Sequence, residues 1–227
     1  MVVKLEKVVP YGRTFDEYIQ MFNLCNTDLN KSILGVGDGP ASFNAQATKK
    51  GCRITSVDPL YELSTYDILN RFNQVVDNII EQVKATPDDW VWSYHKSVDD
   101  LRDRRIEAIN LFIEDYERGK QEGRYQIGEL PSLYLENEQY DIALCSHFLF
   151  LYSQQYDCQF HVESIQEMLR VSKEVRIFPL LTLMLEKSPY LDNVTKFFQM
   201  KGYQVSVTQV NYELQKGGNE MLVISNK

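Results

Sequence analysis

Apolar and polar positions along the chain follow two periods, and each change of period marks a new element. Phe15, Tyr18, Ile19 and Phe22 fall at i, i+3, i+4 and i+7, the spacing that gathers apolar side chains on one helical face. Thr14 precedes them and Glu17 follows Thr14 by three positions, a capping-box pattern that predicts where this helix starts. "SILGVG", from Ser32, reads as a short buried strand and "ASFNAQATKKG" as a helix closed by Gly51, with lysines in its last turn to suit the helix dipole. "CRITSVD" reads as a second strand ending in Asp58. The three segments make one strand–helix–strand unit of a parallel sheet.

Residues 62–122 have a different pattern. "YDILNRFNQVVDNIIEQVK" and "SVDDLRDRRIEAINLFIEDYERG" are both helical, the second with Ser97 and Asp100 as a capping pair. "TPDDWVWSYH" forms a turn between them. A crossover between parallel strands needs far fewer residues, so this stretch is expected to be a helical insertion. Strand patterning returns in "YQIGELP", "YDIALCS" and "EVRIFPLL", with "FHVESIQEMLRVSK" as an intervening helix. After a further helix, "YLDNVTKFFQMKG", the alternating segments "YQVSVTQVNYEL" and "EMLVISN" flank "QKGGN", which predicts a closing antiparallel hairpin. Without repeats, low-complexity tracts or a linker, residues 1–227 read as a single α/β domain.

Composition narrows the function classes. The 227 residues are 44% apolar and 25% charged, an ordinary globular mixture. Net charge is −8 and no dense Lys/Arg stripe is visible, which argues against general nucleic-acid binding. Arg102, Arg104 and Arg105 could form a local basic patch, but read more simply as a solvated helix face. No apolar run reaches the roughly 18 residues of a membrane span, and charge interrupts the N-terminal stretch too often for a signal peptide. A cytoplasmic protein with no membrane association is expected. Cys25, Cys52, Cys145 and Cys158 form no C-x-x-C pair and the histidines lack ligand spacing, so neither a metal nor a disulfide is expected.

The chemistry concentrates in "ILGVGDGPASF", residues 33–43, where a strand breaks into Gly35, Gly37 and Gly39 before a helix. Such a turn lets backbone N–H groups face a ligand, and Asp58, closing the next strand, sits where a carboxylate can hold ribose hydroxyls. The dinucleotide pattern G-x-G-x-x-G fails in both registers, ending on Pro40 from Gly35 and on Ser42 from Gly37. A diphosphate would also face Asp38, and unit charges about 4 Å apart repel by roughly 4 kcal/mol at an effective dielectric of 20. S-adenosylmethionine has no phosphate and carries a sulfonium and an ammonium group, so an acid in the loop suits it.

"ILGVGDGPASFNAQATKKGCRITSVDPLY" resembles the first two motifs of class I S-adenosylmethionine-dependent methyltransferases. "YQIGELP", "YDIALCSHFLFLY" and "IQEMLRVSKEVRIFPLL" resemble the elements that follow, and the terminal hairpin resembles their antiparallel last strand. "GDGPASFNA", "SVDPLY" and "CSHFLFLYS" are further similar to bacterial proteins assigned as methyltransferases with no known substrate. The resemblance implies a Rossmann-like, mostly parallel seven-stranded sheet and S-adenosyl-L-methionine as cofactor. Gly35, Gly37, Asp38 and Gly39 are then expected on its methionine side and Asp58 at its ribose. Pro59, Leu60, Glu129 and Leu130 would surround adenine, and Ser146 and His147 would border the transfer site. Two positions depart from the family. Gly35 stands where an acid is usual and Ala41 where a third glycine is usual, so Asp38 is expected to take over the missing acid's hold on the cofactor ammonium.

Methyl transfer needs a base only for a protonated acceptor, and His147 is the candidate, with Tyr152 and Tyr61 behind it. The alternative is a neutral histidine packed under the next helix. Trp90, Trp92 and Tyr94 either stack on an acceptor or fix their loop, and Phe148, Phe150, Tyr152 and Tyr156 either wall a substrate or pack the core. No N-P-P-Y-like run or Pro-Cys nucleophile is present, so a small-molecule acceptor is expected, selected by the insertion acting as a lid. A protein or RNA acceptor, or a cofactor-binding protein without transfer activity, is the alternative; a nicotinamide enzyme is disfavoured by the failed fingerprint.

Overall fold

In the computed structural model, residues 8–226 are described, and their apolar runs assemble into one seven-stranded sheet. β1 (Ser32–Val36), β2 (Arg53–Val57), β3 (Tyr125–Gln126), β4 (Tyr140–Ser146) and β5 (Ser172–Phe178) run parallel to one another. β7 (Glu220–Ser225) runs antiparallel between β5 and β6 (Gln204–Gln209), giving the order β3-β2-β1-β4-β5-β7-β6. The predicted α/β class and closing hairpin are both present. Chain order reverses between β1 and β4, so the crevice at their carboxyl ends is where such a sheet accepts a ligand.

Helices cover both faces because successive residues of a strand point to opposite sides. Ile33 and Ile142 join a core with α1 (Phe15–Met21), α3 (Phe43–Lys49), α4 (Thr65–Lys84) and α5 (Val98–Gln121). Leu34 and Ala143, one residue on, join a second core with α6 (Cys158–Val171) and α7 (Leu191–Met200). A short helix α2 (Asn26–Leu29) leads into β1. α4 and α5 are the helices expected in residues 62–122, and Ser97 caps α5 by accepting from the Asp100 N–H. Among the described residues no helix is long and apolar enough to cross a membrane. Most of the charge-interrupted N-terminal stretch lies outside the described residues.

Two expectations require correction. "YQIGELP" forms a strand only over Tyr125–Gln126, because its one neighbour, β2, ends at Val57 and leaves nothing beyond Gln126 to pair with. Arg105 is not on a solvated face: it is completely buried, whereas Arg102 and Arg104 reach Asp77 and Glu107 at the surface. The Arg105 guanidinium forms a two-pronged pair with Glu17, at 2.7 Å from Nη1 to Oε2 and 2.5 Å from Nη2 to Oε1.

Glu17 therefore does more than cap a helix. Its carboxylate accepts from the Thr14 N–H, from Tyr212 Oη at 2.9 Å and from Arg105, and lies 3.3 Å from His95 Nε2. One buried acid thus ties α1 to α5, to the turn between α4 and α5, and to the β6–β7 connection. Burial, the largest single influence, would raise its pKa; the Arg105 charge together with the hydrogen bonds from Arg105 and His95 overcomes it and holds the carboxyl well below the usual range. We predict that Glu17→Gln, which strands a buried guanidinium, destabilises the protein by about 3–5 kcal/mol in urea denaturation at neutral pH. The gap to wild type should narrow on acidification, since a carboxyl with a depressed pKa contributes stability that is lost as it protonates. A loss under about 1 kcal/mol, the level of a surface pair, would show that the buried pair does not organise these elements.

Candidate functional site

The loop after β1 is shaped around one carboxylate. Asp38 is only 7% exposed and accepts from Tyr18 Oη at 2.7 Å and from Ser56 Oγ at 2.7 Å. A Cβ on Gly35 would lie 1.8 Å from Asp38 Oδ2, so the carboxylate occupies the room that only a glycine at 35 leaves. Gly37 and Gly39 take positive φ angles of 67° and 53°, which lets the chain turn the Asp38 side chain back over β1. Asp58, just past β2, accepts from the Gly39 N–H at 2.7 Å and the Leu60 N–H at 2.8 Å. Tyr61 Oη completes the clasp by donating to the Gly39 carbonyl at 2.8 Å.

Both acids are held at unusual pKa values. Burial raises Asp38 to about 6, opposed by the Tyr18 and Ser56 hydroxyls and assisted by the Asp58 charge. Burial likewise raises Asp58 to about 6 against its two backbone N–H bonds. A second charge of the same sign brought here would raise them further; a cation would lower them.

These groups face a cavity of about 500 Å3 at the carboxyl edge of the sheet. The Gly37–Pro40 loop and Asp58, Pro59 and Leu60 form one side, Ser146 and His147 the floor by β4, and Arg71, Gln74 and Val75 of α4 a cover. Residues 8–13 close the remaining side, crossing the loop so closely that a Cβ on Gly12 would lie 2.1 Å from the Pro40 carbonyl oxygen. Of the expected cofactor residues, Gly35 is buried beneath Asp38 rather than on the wall, and Glu129 and Leu130 do not line this cavity. Glu129 is exposed and pairs through its backbone with Ser132; Leu130 packs in the core with α6 and α7. Tyr18, Tyr11 and Arg13 are on the wall without having been anticipated. Tyr18 is indistinguishable in sequence from other apolar-face positions, and Arg13 belongs to no periodic segment.

His147 adopts a φ of 52°, uncommon for any residue but glycine, and its N–H donates to the Phe178 carbonyl at 2.6 Å. Its Nδ1 lies 3.0 Å from Ser146 Oγ. Burial, and then the charges of Arg13 and Arg105, push its pKa well below 6.5, so the ring is neutral at physiological pH. The ring also borders a second, smaller cavity of about 90 Å3, likewise lined by Arg13 and Tyr11. Trp90 lines that cavity and donates from Nε1 to Thr86 Oγ1 at 2.9 Å, so it both fixes its loop and faces the hollow. Trp92 and Tyr94 pack against the core.

No family model matches the chain. Its sequence is 36% identical over 223 residues to an uncharacterized protein of Methanocaldococcus jannaschii, covering 98% of each. That relative is archaeal, and the bacterial grouping suggested by the motif wording is not borne out. Among solved structures, mitomycin 7-O-methyltransferase superposes with a TM-score of 0.50 at 11% identity, over 94% of this chain and 54% of that one. A magnesium protoporphyrin IX methyltransferase from Synechocystis, solved with bound S-adenosylmethionine, gives a TM-score of 0.44 at 9% identity, over 87% of this chain and 71% of that one. At such low identity the likeness concerns the fold alone. With sequence similarity running the full length of both proteins, the chain belongs to the family of the Methanocaldococcus protein, built on the class I methyltransferase fold.

Proposed function

We propose that this protein is an S-adenosylmethionine-dependent methyltransferase acting on a small-molecule acceptor. The observation that carries the reading is the pair of enclosed carboxylates, Asp38 and Asp58, on the wall of a nucleoside-sized cavity at the switch point of the sheet. Two acids raised to about 6 are a poor setting for a diphosphate and a good one for a ligand bearing an ammonium and a sulfonium. Asp38 also lies over Gly35, the position where related methyltransferases carry their acid, so its carboxylate reaches by another route the place that acid would fill. The residues present therefore fit the cofactor.

In this reading Asp38 holds the ammonium group, Asp58 the ribose hydroxyls, and Pro59 and Leu60 flank adenine. Gly37 and Gly39 keep side chains out of the methionine path. When bound, S-adenosylmethionine would supply an electrophilic methyl group on its sulfonium sulfur, with a neutral thioether as the leaving group. Ser146 and His147 border that point and fix the line of approach, with α4 as the cover. A histidine whose protonated form is penalised by burial and two arginines is a weak base, so His147 acts here as a neutral wall. Such a site suits an acceptor that arrives already deprotonated.

Calorimetry tests the cofactor assignment. S-adenosylmethionine should bind the wild-type protein and bind Asp38→Ala about 10-fold or more weakly, the loss of one charge-assisted contact. Unchanged affinity in the variant would remove the role of Asp38; no binding to wild type would remove the function. The pH dependence carries a definite sign. Between about pH 4 and pH 6 the folded protein holds protons on Asp38 and Asp58 that the unfolded chain has released, so their contribution to stability falls as pH rises through that window. A cationic ligand recovers it by displacing those protons. Affinity should therefore drop about tenfold per pH unit, for each proton released, below about pH 6; affinity independent of pH between 5 and 7.5 contradicts this. For His147, the Cε1–H resonance, assigned with His147→Asn, should not titrate between pH 5.5 and 8, and a midpoint near 6.5 would restore it as a candidate base.

A further inference from the structure

Behind His147 the charges do not balance. Arg105 and Arg13 bring two guanidinium groups to this region, and of the two Glu17 forms an ion pair with Arg105 and not with Arg13. Arg13 forms no ion pair among the described residues. Among the described residues its Nη1 donates to the Tyr11 carbonyl, while its Nε and the neighbouring Tyr11 hydroxyl are buried and find no partner. Burial, and then the Arg105 charge, lower the Arg13 pKa against the smaller opposing influence of Tyr212, Glu17 and Tyr11. Arg13 is half-buried, its Nε is cut off from water without a partner among the described residues, and both it and the neighbouring Tyr11 border the same hollow.

The hollow itself is mostly apolar. Val83, Trp90, Leu151, Phe178 and Leu183 supply its walls, and Val9, Tyr11, Arg13 and His147 line both it and the larger cavity. We infer that this smaller cavity receives the methyl acceptor, and that the acceptor is a compact apolar molecule, aromatic or branched aliphatic, bearing one anionic group bound by Arg13. The inference rests on the methyltransferase reading for the word acceptor, but the anion site itself does not. An apolar body satisfies the walls, a single negative charge balances the second guanidinium, and a group already ionised needs no proton removed by the neutral His147. Tyr11 adds a hydroxyl donor beside the same charge. Arg13 also borders the larger cavity, so the cofactor's own carboxylate is the competing source of the anion.

Binding of benzoate and its uncharged isostere benzamide, measured by calorimetry with and without saturating S-adenosylhomocysteine, tests the site. Wild type should bind benzoate about tenfold more tightly than benzamide, as expected for one charge-assisted contact. Arg13→Gln should lose that preference and Arg13→Lys retain much of it, while S-adenosylhomocysteine binding to both variants reports that the fold is intact. No preference for benzoate in wild type, or a preference that survives in Arg13→Gln, overturns the proposal. So does an Arg13→Gln protein that binds S-adenosylhomocysteine at least tenfold more weakly yet binds 5′-methylthioadenosine, which lacks the carboxylate, as wild type does. That result gives Arg13 to the cofactor. Should S-adenosylhomocysteine fail to bind wild type while the Arg13-dependent preference for benzoate holds, the anion site stands and the methyltransferase reading falls.

Discussion

A carboxylate folded back into the space above a glycine sets the geometry of this site. Asp38 reaches over Gly35, takes a hydroxyl from α1 through Tyr18 and another from β2 through Ser56, and so locks the first loop to both elements. No side chain can be added at 35 without displacing it, and the positive φ angles at Gly37 and Gly39 are what allow the chain to return. Asp58 then holds the far end of the same loop through the Gly39 N–H. The loop is thus fixed by the acids that face the cavity, so the groups that shape the backbone are also those offered to a ligand.

Acids and arginines meet around one neutral histidine. Asp38 and Asp58 line the larger cavity; Arg13 borders both cavities, and Arg105, neutralised by Glu17, lies behind them and lines neither. His147 borders both cavities, uncharged, with its backbone tied to the end of β5. The two acids favour a positively charged group in the large cavity, and Arg13 favours a negatively charged one where the two cavities meet. Charge separation in a low-dielectric interior orients ligands more strongly than the same charges do in water.

Much of the scaffold could be read from residue patterns because it depends on local rules. The short apolar runs of β1, β4 and β5, the capping pairs at Thr14 and Ser97, and Gly51 beyond α3 are each specified within a few residues. The length of β3 was not, because it depends on where a strand distant in sequence stops. Arg105 followed two other charged residues on an otherwise polar helix surface, and only its partner, 88 positions away on α1, explains its burial. In the site, Asp38 and Asp58 were visible because both stand at the ends of strands, whereas Tyr18 and Arg13 reach the cavity through tertiary packing alone. Glu129 shows the opposite failure: its motif neighbours were legible, but the strand that was to present it ends three residues earlier.

A crystal structure of the protein with S-adenosylhomocysteine bound tests the central claim most directly. The account predicts the ribose hydroxyls on Asp58, the ligand's ammonium within hydrogen-bond reach of Asp38, and the sulfur turned toward His147 and the smaller cavity. Ligand bound away from this loop, or bound here with Asp38 bonded to Tyr18 and Ser56 alone, would contradict it.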